Sequence, residues 1–286
     1  MRGALWMLAS AITFTVMTTL IKYLGEDYPA TLQTFYRQVA GFIILLPAMV
    51  RNPVAAFATS RPGILVFRSA AGTLGTILAF YAYQKMPLAD ANALSFTRAL
   101  WLVPLAVFVL GEKVGPRRIG ATIIGFLGVL LMLQPGGGGQ SHVSWAAAAA
   151  LMASFLFALT ITGMKVMTRD HSTTTLMVWS AALGLVMAAP PAWFVWRWPA
   201  PRDLVLLGIM GALGMVTQAC YIKGMSEGDA AAMAPMDYTR LLFAVILGYF
   251  LFGDIPNAQT MLGASVVIAS TLYITIRELK LGVRRE

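Results

Sequence analysis

The sequence predicts an all-α membrane protein in which ten transmembrane helices form two inverted five-helix repeats around a central cavity. Three observations predict it. Of 286 residues, 58% are hydrophobic and 12% are charged, an apolar share beyond that of a soluble domain. The apolar residues gather into runs near the roughly 20 residues that a hydrocarbon core of about 30 Å requires. The same spaced markers also occur twice. Gly72, Gly75, Met86 and Asp90-Ala91 are matched by Gly211, Gly214, Met225 and Asp229-Ala230. Thr97-Arg98 and Gly111-Glu112 are matched by Thr239-Arg240 and Gly253-Asp254, and Lys22 by Lys165.

The first span runs from about Ala4 to Leu24 behind Arg2. It is longer than a signal-peptide apolar region of roughly 7 to 15 residues and lacks a convincing cleavage site, so it reads as a retained helix. Spans 2 to 5 cover about Ala30 to Val50, Gly63 to Gln84, Ala91 to Leu110 and Ile119 to Gln134. Spans 6 to 10 cover about Trp145 to Met164, Thr173 to Phe194, Leu204 to Ile222, Ala231 to Phe252 and Ala258 to Ile276. Breaks such as Asp27-Tyr28-Pro29, Gly115-Pro116-Arg117-Arg118 and Trp198-Pro199-Ala200-Pro201 carry turn chemistry. The chain divides into a first repeat at 1–135, a glycine-rich linker at 136–144, and a second repeat with a short tail at 145–286.

The formal charge of +9 fits membrane orientation better than nucleic acid, because the basic residues sit at the ends of apolar runs. With the N-terminus cytoplasmic, thirteen lysines and arginines, from Arg2 and Arg51 to Arg284 and Arg285, fall inside, against Lys85, Arg197 and Arg202 outside. Both termini are therefore expected in the cytoplasm. Five spans per half is an odd number, so the second half enters from the opposite face and the repeats are inverted. The single cysteine, Cys220, excludes an intramolecular disulfide, and neither histidine has a metal-type neighbour.

The stretch from Phe80-Tyr81 through Met86-Pro87-Leu88-Ala89-Asp90-Ala91, Pro104-Leu105 and Gly111-Glu112-Lys113 to Gly120, Gly125 and Gly128 resembles the drug/metabolite transporter superfamily. More narrowly it resembles the EamA-type transporters, with weaker echoes at Asp229-Ala230, Gly253-Asp254 and Gly263-Ala264. The resemblance implies ten helices, a cavity lined by spans 1, 3, 4, 6, 8 and 9, alternating access, and a bacterial-type inner membrane. Its known members export amino acids and other metabolites or import metabolites such as S-adenosylmethionine. Span 4 departs from many relatives by carrying Arg98 and Trp101.

Charges within spans carry the most functional information. A cation at the centre of a lipid-facing helix costs about 2.5 to 3.5 kcal/mol, so Arg98 and Arg240 are expected to face protein or water. One reading has them bind an anionic substrate group such as a carboxylate. The other has them bond helix-end carbonyls or neighbouring acids. Asp237, one helical turn before Arg240, is read either as its ion-pair partner or as a site for a substrate ammonium or a coupling proton. Lys22 and Arg37 lie near span ends and are expected to snorkel to the headgroups.

Tyr81, Trp101, Ser95 and Thr97 on spans 3 and 4, with Gln218, Tyr221 and Tyr238 on spans 8 and 9, are candidates for a cavity suited to an amphipathic solute. Headgroup-level aromatics are the competing reading, applied to Trp6, Tyr28, Trp145, Trp196 and Trp198, and extended to Tyr83. Gly72, Gly75, Gly211 and Gly214 are read as hinges or as packing positions, and Pro104 and Pro235 as kinks that free backbone carbonyls. Gly120, Gly125 and Gly128 suit packing or a homodimer contact, while Glu112 and Asp254 organise the turns after spans 4 and 9.

These features predict a secondary transporter of a small amphipathic metabolite, with export of amino acids or related compounds placed ahead of uptake. Its partners are the solute and the lipid bilayer. A channel is a weaker alternative. No catalytic constellation, metal ligand set or phosphate-binding glycine loop argues for an enzyme or a cofactor.

Overall fold

The computed structural model of the chain describes residues 2–51, 57–59, 62–109, 111, 114–133, 144–167, 173–227, 236–256 and 258–282. Among these residues, every regular element is helical: α1 (Arg2–Tyr23), α2 (Ala30–Arg51), α3 (Pro62–Lys85), α4 (Leu88–Ser95), α5 (Thr97–Phe108), α6 (Pro116–Leu133), α7 (Trp145–Met167), α8 (Thr173–Trp193), α9 (Pro201–Glu227), α10 (Thr239–Phe252) and α11 (Ala258–Gly282). The pair α4 and α5 together forms one apolar span, Leu88–Phe108.

Eight described segments are long and apolar enough to cross a membrane, and α10 is a shorter apolar helix. The remaining long helix, α2, carries Gln33, Arg37 and Gln38, which dilute its apolar run. Its polar residues meet protein: Gln33 is fully buried and donates to the carbonyls of Ile21 and Tyr28, each at 3.1 Å. Large apolar side chains such as Phe108, Phe194 and Phe250 remain exposed, as a lipid-facing surface requires. The all-helical membrane protein expected from the sequence is thus present, with eight candidate spans and one shorter apolar helix among the described residues.

The packing pairs keep their pattern when the two halves are exchanged. Helix α1 packs on α9 and α3 on α7; α2 packs on α8, α6 on α11, and the α4–α5 pair on α10. Close backbone approach explains the α6–α11 pair. A Cβ on Gly263 would fall 2.5 Å from the Gly128 carbonyl oxygen, and one on Gly128 would fall 2.9 Å from that of Gly263. Gly125 is filled in the same way by Leu100. Gly125 and Gly128 are therefore internal packing positions.

The two glycines with positive φ among the described residues are repeat counterparts, Gly111 at 65° and Gly253 at 67°. At the second, Gly253 N–H donates to the Tyr249 carbonyl and Asp254 N–H to that of Gly248, the double bond that closes a helix through a left-handed residue.

Spans 4 and 9 are also interrupted at matching places. Phe96 separates α4 from α5, and Tyr238 precedes α10, each with a turn of three-residue hydrogen bonds. Pro104 lies inside helix α5, and span 4 is interrupted eight residues earlier, at Phe96. Side chains explain it: Asn92, Ser95 and Thr97 all bond back to carbonyls of the preceding turn, competing with the helical ladder. Pro235, Met225, Glu112, Lys165, Asp229 and most of the linker lie outside the residues or side chains described.

Candidate functional site

The site begins at the two interruptions. The Thr97 hydroxyl donates to the Leu94 carbonyl at 2.7 Å, and Thr239 donates to Met236 at 2.7 Å. Ser154 of α7 adds a second donor to Leu94 at 3.1 Å, so a carbonyl freed by the break stays satisfied away from water. The residue after each threonine is the arginine of its repeat.

Arg240 is nearly enclosed. Its Nη2 donates to Ser95 Oγ at 3.1 Å, and its Nη1 lies 3.8 Å from Asp237 Oδ2. Its guanidinium sits over two rings, 4.3 Å from the centroid of Phe96 and 4.9 Å from that of Phe14. The Nε atom is buried without a hydrogen-bond partner among the described residues. Arg98 is half-buried and makes no hydrogen bond or ion pair among the described residues.

Three tyrosines close around these charges. Tyr83, Tyr221 and Tyr238 each lie within electrostatic reach of Arg98, Arg240 and Asp237. Tyr83 meets Phe14 edge-on at 6.3 Å, and the Tyr238 hydroxyl bonds Thr271 at 2.5 Å. Spans 1, 3, 4, 8 and 9 thus contribute side chains to one cluster of two guanidinium groups, one carboxylate and several aromatic rings.

The remaining sequence-derived candidates lie elsewhere. Trp101 packs against Phe126 of α6 and Phe155 of α7, at 4.8 and 5.3 Å. Tyr81 lines a separate cavity of about 560 Å³ at the Lys22 end, with Glu26, Asp27, Lys85 and Arg197. Gln218 is exposed on α9. Gly75 packs closely on Leu156 and Phe157, and Gly211 on Ala40, whereas Gly72 has room, with Thr160 4.0 Å from where a methyl would sit.

Two expectations of snorkelling are corrected. Lys22 does not reach for headgroups: its Nζ pairs with Asp254 Oδ2 at 2.5 Å and donates to the Met86 carbonyl at 3.2 Å. The same carboxylate accepts from Leu88 N–H at 3.2 Å, joining the ends of α1, α3 and α10, and Asp90 lies within electrostatic reach of both charges. Arg37 lies against Gly214 of α9 and Met17 of α1. Nearby, the Tyr28 hydroxyl donates to Asp203 at 2.8 Å; burial and that carboxylate hold the phenol above its ordinary pKa.

The EamA-like transporter family matches residues 1–134 and again 144–276. The chain belongs to this family. Relatives at full length include the S-adenosylmethionine uptake transporter of Rickettsia prowazekii, 30% identical over 98% of this chain and 94% of that protein. The riboflavin transporter of Rhizobium johnstonii is 29% identical over 97% and 92%. The pseudopaline exporter CntI of Pseudomonas aeruginosa is 24% identical over 96% and 95%. A solved crystal structure shares the fold, with a TM-score of 0.64 at 14% identity over 96% of each chain. The family and these relatives belong to the drug/metabolite transporters, so this EamA-like protein is an integral membrane transporter rather than an enzyme.

The sequence reading did not single out Phe14 or Phe96, and it extended the headgroup reading to Tyr83. Phe96 carried a usable signal, because the interval relating Arg98 to Arg240 also relates Phe96 to Tyr238. Phe14 carried none, being one apolar residue in an apolar span.

Proposed function

We propose that this protein is a secondary transporter that binds a small amphipathic metabolite between spans 1, 3, 4, 8 and 9 and exposes it to alternate faces of the membrane. Arg98 and Arg240 hold a carboxylate, Asp237 receives an ammonium, and Phe14, Tyr83, Phe96, Tyr221 and Tyr238 pack the apolar part. The carrying observation is the pair of arginines set behind matching helix interruptions, with Arg98 free of partners among the described residues.

The exchange-invariant packing supports two five-helix repeats, 1–135 and 145–286, related by inversion in an inner-membrane protein with cytoplasmic termini. In that orientation the Lys22–Asp254 pair closes the outer mouth. The close contacts at Gly75, Gly211 and Gly214 supply surfaces along which one bundle slides over the other, and Gly72, Pro104 and Pro235 supply bending points.

Direction is the second part of the proposal. Amino-acid export came first from the sequence, but full-length similarity to a relative named for S-adenosylmethionine uptake moves the reading to uptake. Export is the second reading, favoured by the likeness to the pseudopaline exporter. Thermal-shift screening of amino acids, S-adenosylmethionine and riboflavin, followed by counterflow in proteoliposomes, tests it. Saturable, trans-accelerated exchange of one solute is expected, lost in Arg98→Ala or Arg240→Ala protein that inserts normally. Linear, unaccelerated flux would contradict a carrier and support a channel.

A further inference from the structure

We propose that Arg37 is a second anion contact in the solute compartment, and that the solute carries two carboxylates rather than one. The proposal rests on the reading that Arg98 and Arg240 line that compartment.

Arg37 lies seven residues into α2, roughly 10 Å along the helix at 1.5 Å per residue, inside the apolar layer. It is half-buried and makes no hydrogen bond or ion pair among the described residues. Its Nε is 3.3 Å from the point a Gly214 Cβ would occupy, and Met17 Sδ is 3.4 Å from that same point. The guanidinium is therefore laid over a glycine of α9 beside α1, where a larger residue would displace it.

Met17 is three residues beyond Phe14, so the two share a face of α1 about one turn apart. Phe14 is the ring beneath Arg240. Arg37 and Arg240 thus approach one face of α1 at successive levels.

Charge decides what belongs between them. A guanidinium stays protonated, and leaving one in the apolar layer without an anion is unfavourable. Gly211, Gly214 and Met17, against which Arg37 lies, offer no carboxylate. Arg98 and Arg240 share a single acid, Asp237, through the tyrosines around them, and Arg37 meets no acid, which leaves two positive charges without a counter-ion among the described residues. A solute with two carboxylates, one for Arg37 and one for the Arg98–Arg240 pair, matches the sign of these groups.

The lone native cysteine makes the test direct. Full-length Met17→Cys/Cys220→Ala protein in proteoliposomes is labelled with sulfonatoethyl or trimethylammonium-ethyl methanethiosulfonate, with and without succinate at constant ionic strength. The expected result is labelling at least ~10-fold faster by the anionic reagent, slowed several-fold by succinate. Adding Arg37→Gln should bring the reagents near parity and abolish the protection, while Arg37→Lys retains part of both and shows that the fold survives. An introduced thiol inert to both reagents, or a bias unchanged by Arg37→Gln, overturns the anion contact. Bias without succinate protection overturns the dicarboxylate class. Should Arg98→Ala and Arg240→Ala leave counterflow intact while the introduced thiol keeps its bias, the central site fails and the Arg37 contact stands.

Discussion

Phe96 and Tyr238, which hold the same place in the two halves, meet with ring centroids 4.6 Å apart and planes tilted by 41°. Each ring stands at an interruption of its span and directly precedes the Thr-Arg pair of that repeat, so the contact fixes where both guanidinium groups emerge.

Removing a ring from this contact is therefore expected to cost more than an average apolar truncation. Phe96 is 5% exposed, and Phe96→Ala should destabilise by about 3 to 5 kcal/mol. Tyr238→Phe keeps the ring contact and loses only the Thr271 bond, a loss of about 1 kcal/mol. Thermal unfolding in nanodiscs separates the two.

The span count and the duplicated markers were legible in the sequence because lipid imposes length and duplication preserves spacing. The break at Phe96 was not legible, because it comes from the backbone bonds of Asn92, Ser95 and Thr97, which draw carbonyls away from the ladder, and not from a proline. The structure sets Trp101 against Phe126 and Phe155 and Tyr81 beside the Lys22-end cavity. Which side of an apolar helix faces the centre depends on neighbours from the opposite half, and no period within one span encodes them.

The Lys22–Asp254 pair is expected to hold the Lys22 end closed. Its side chains are 14% and 16% exposed, so Asp254→Asn leaves a nearly enclosed ammonium unpaired and should destabilise by about 1 to 3 kcal/mol. The exchanged pair Lys22→Asp with Asp254→Lys should recover part of that loss. Melting of the single and double variants measures it.

Asp237 and Arg240, at 3.8 Å, are too far apart for a strong hydrogen bond. A double-mutant cycle on stability is expected to give a coupling below about 1 kcal/mol. Asp237→Asn should instead weaken transport of an ammonium-bearing solute more than that of its deaminated analogue, read as KM in counterflow.

Glycine substitutions should separate packing from lipid-facing positions. Gly263→Ala drives a methyl into the Gly128 backbone and is expected to destabilise by about 1 to 3 kcal/mol. Gly120 has nothing within 4 Å of a Cβ, so Gly120→Ala should be neutral or stabilising by up to about 1 kcal/mol. Paired melts check the contrast.

The central claim is that both faces of the membrane reach one site beside Arg240. Ser95, whose hydroxyl accepts from Arg240, reports on it as Ser95→Cys in a Cys220→Ala background. With an impermeant thiol reagent applied to right-side-out and to inverted vesicles, the expected result is labelling from each side, suppressed in both by transported solute. Labelling from one side alone, whatever solute is present, would contradict alternating access.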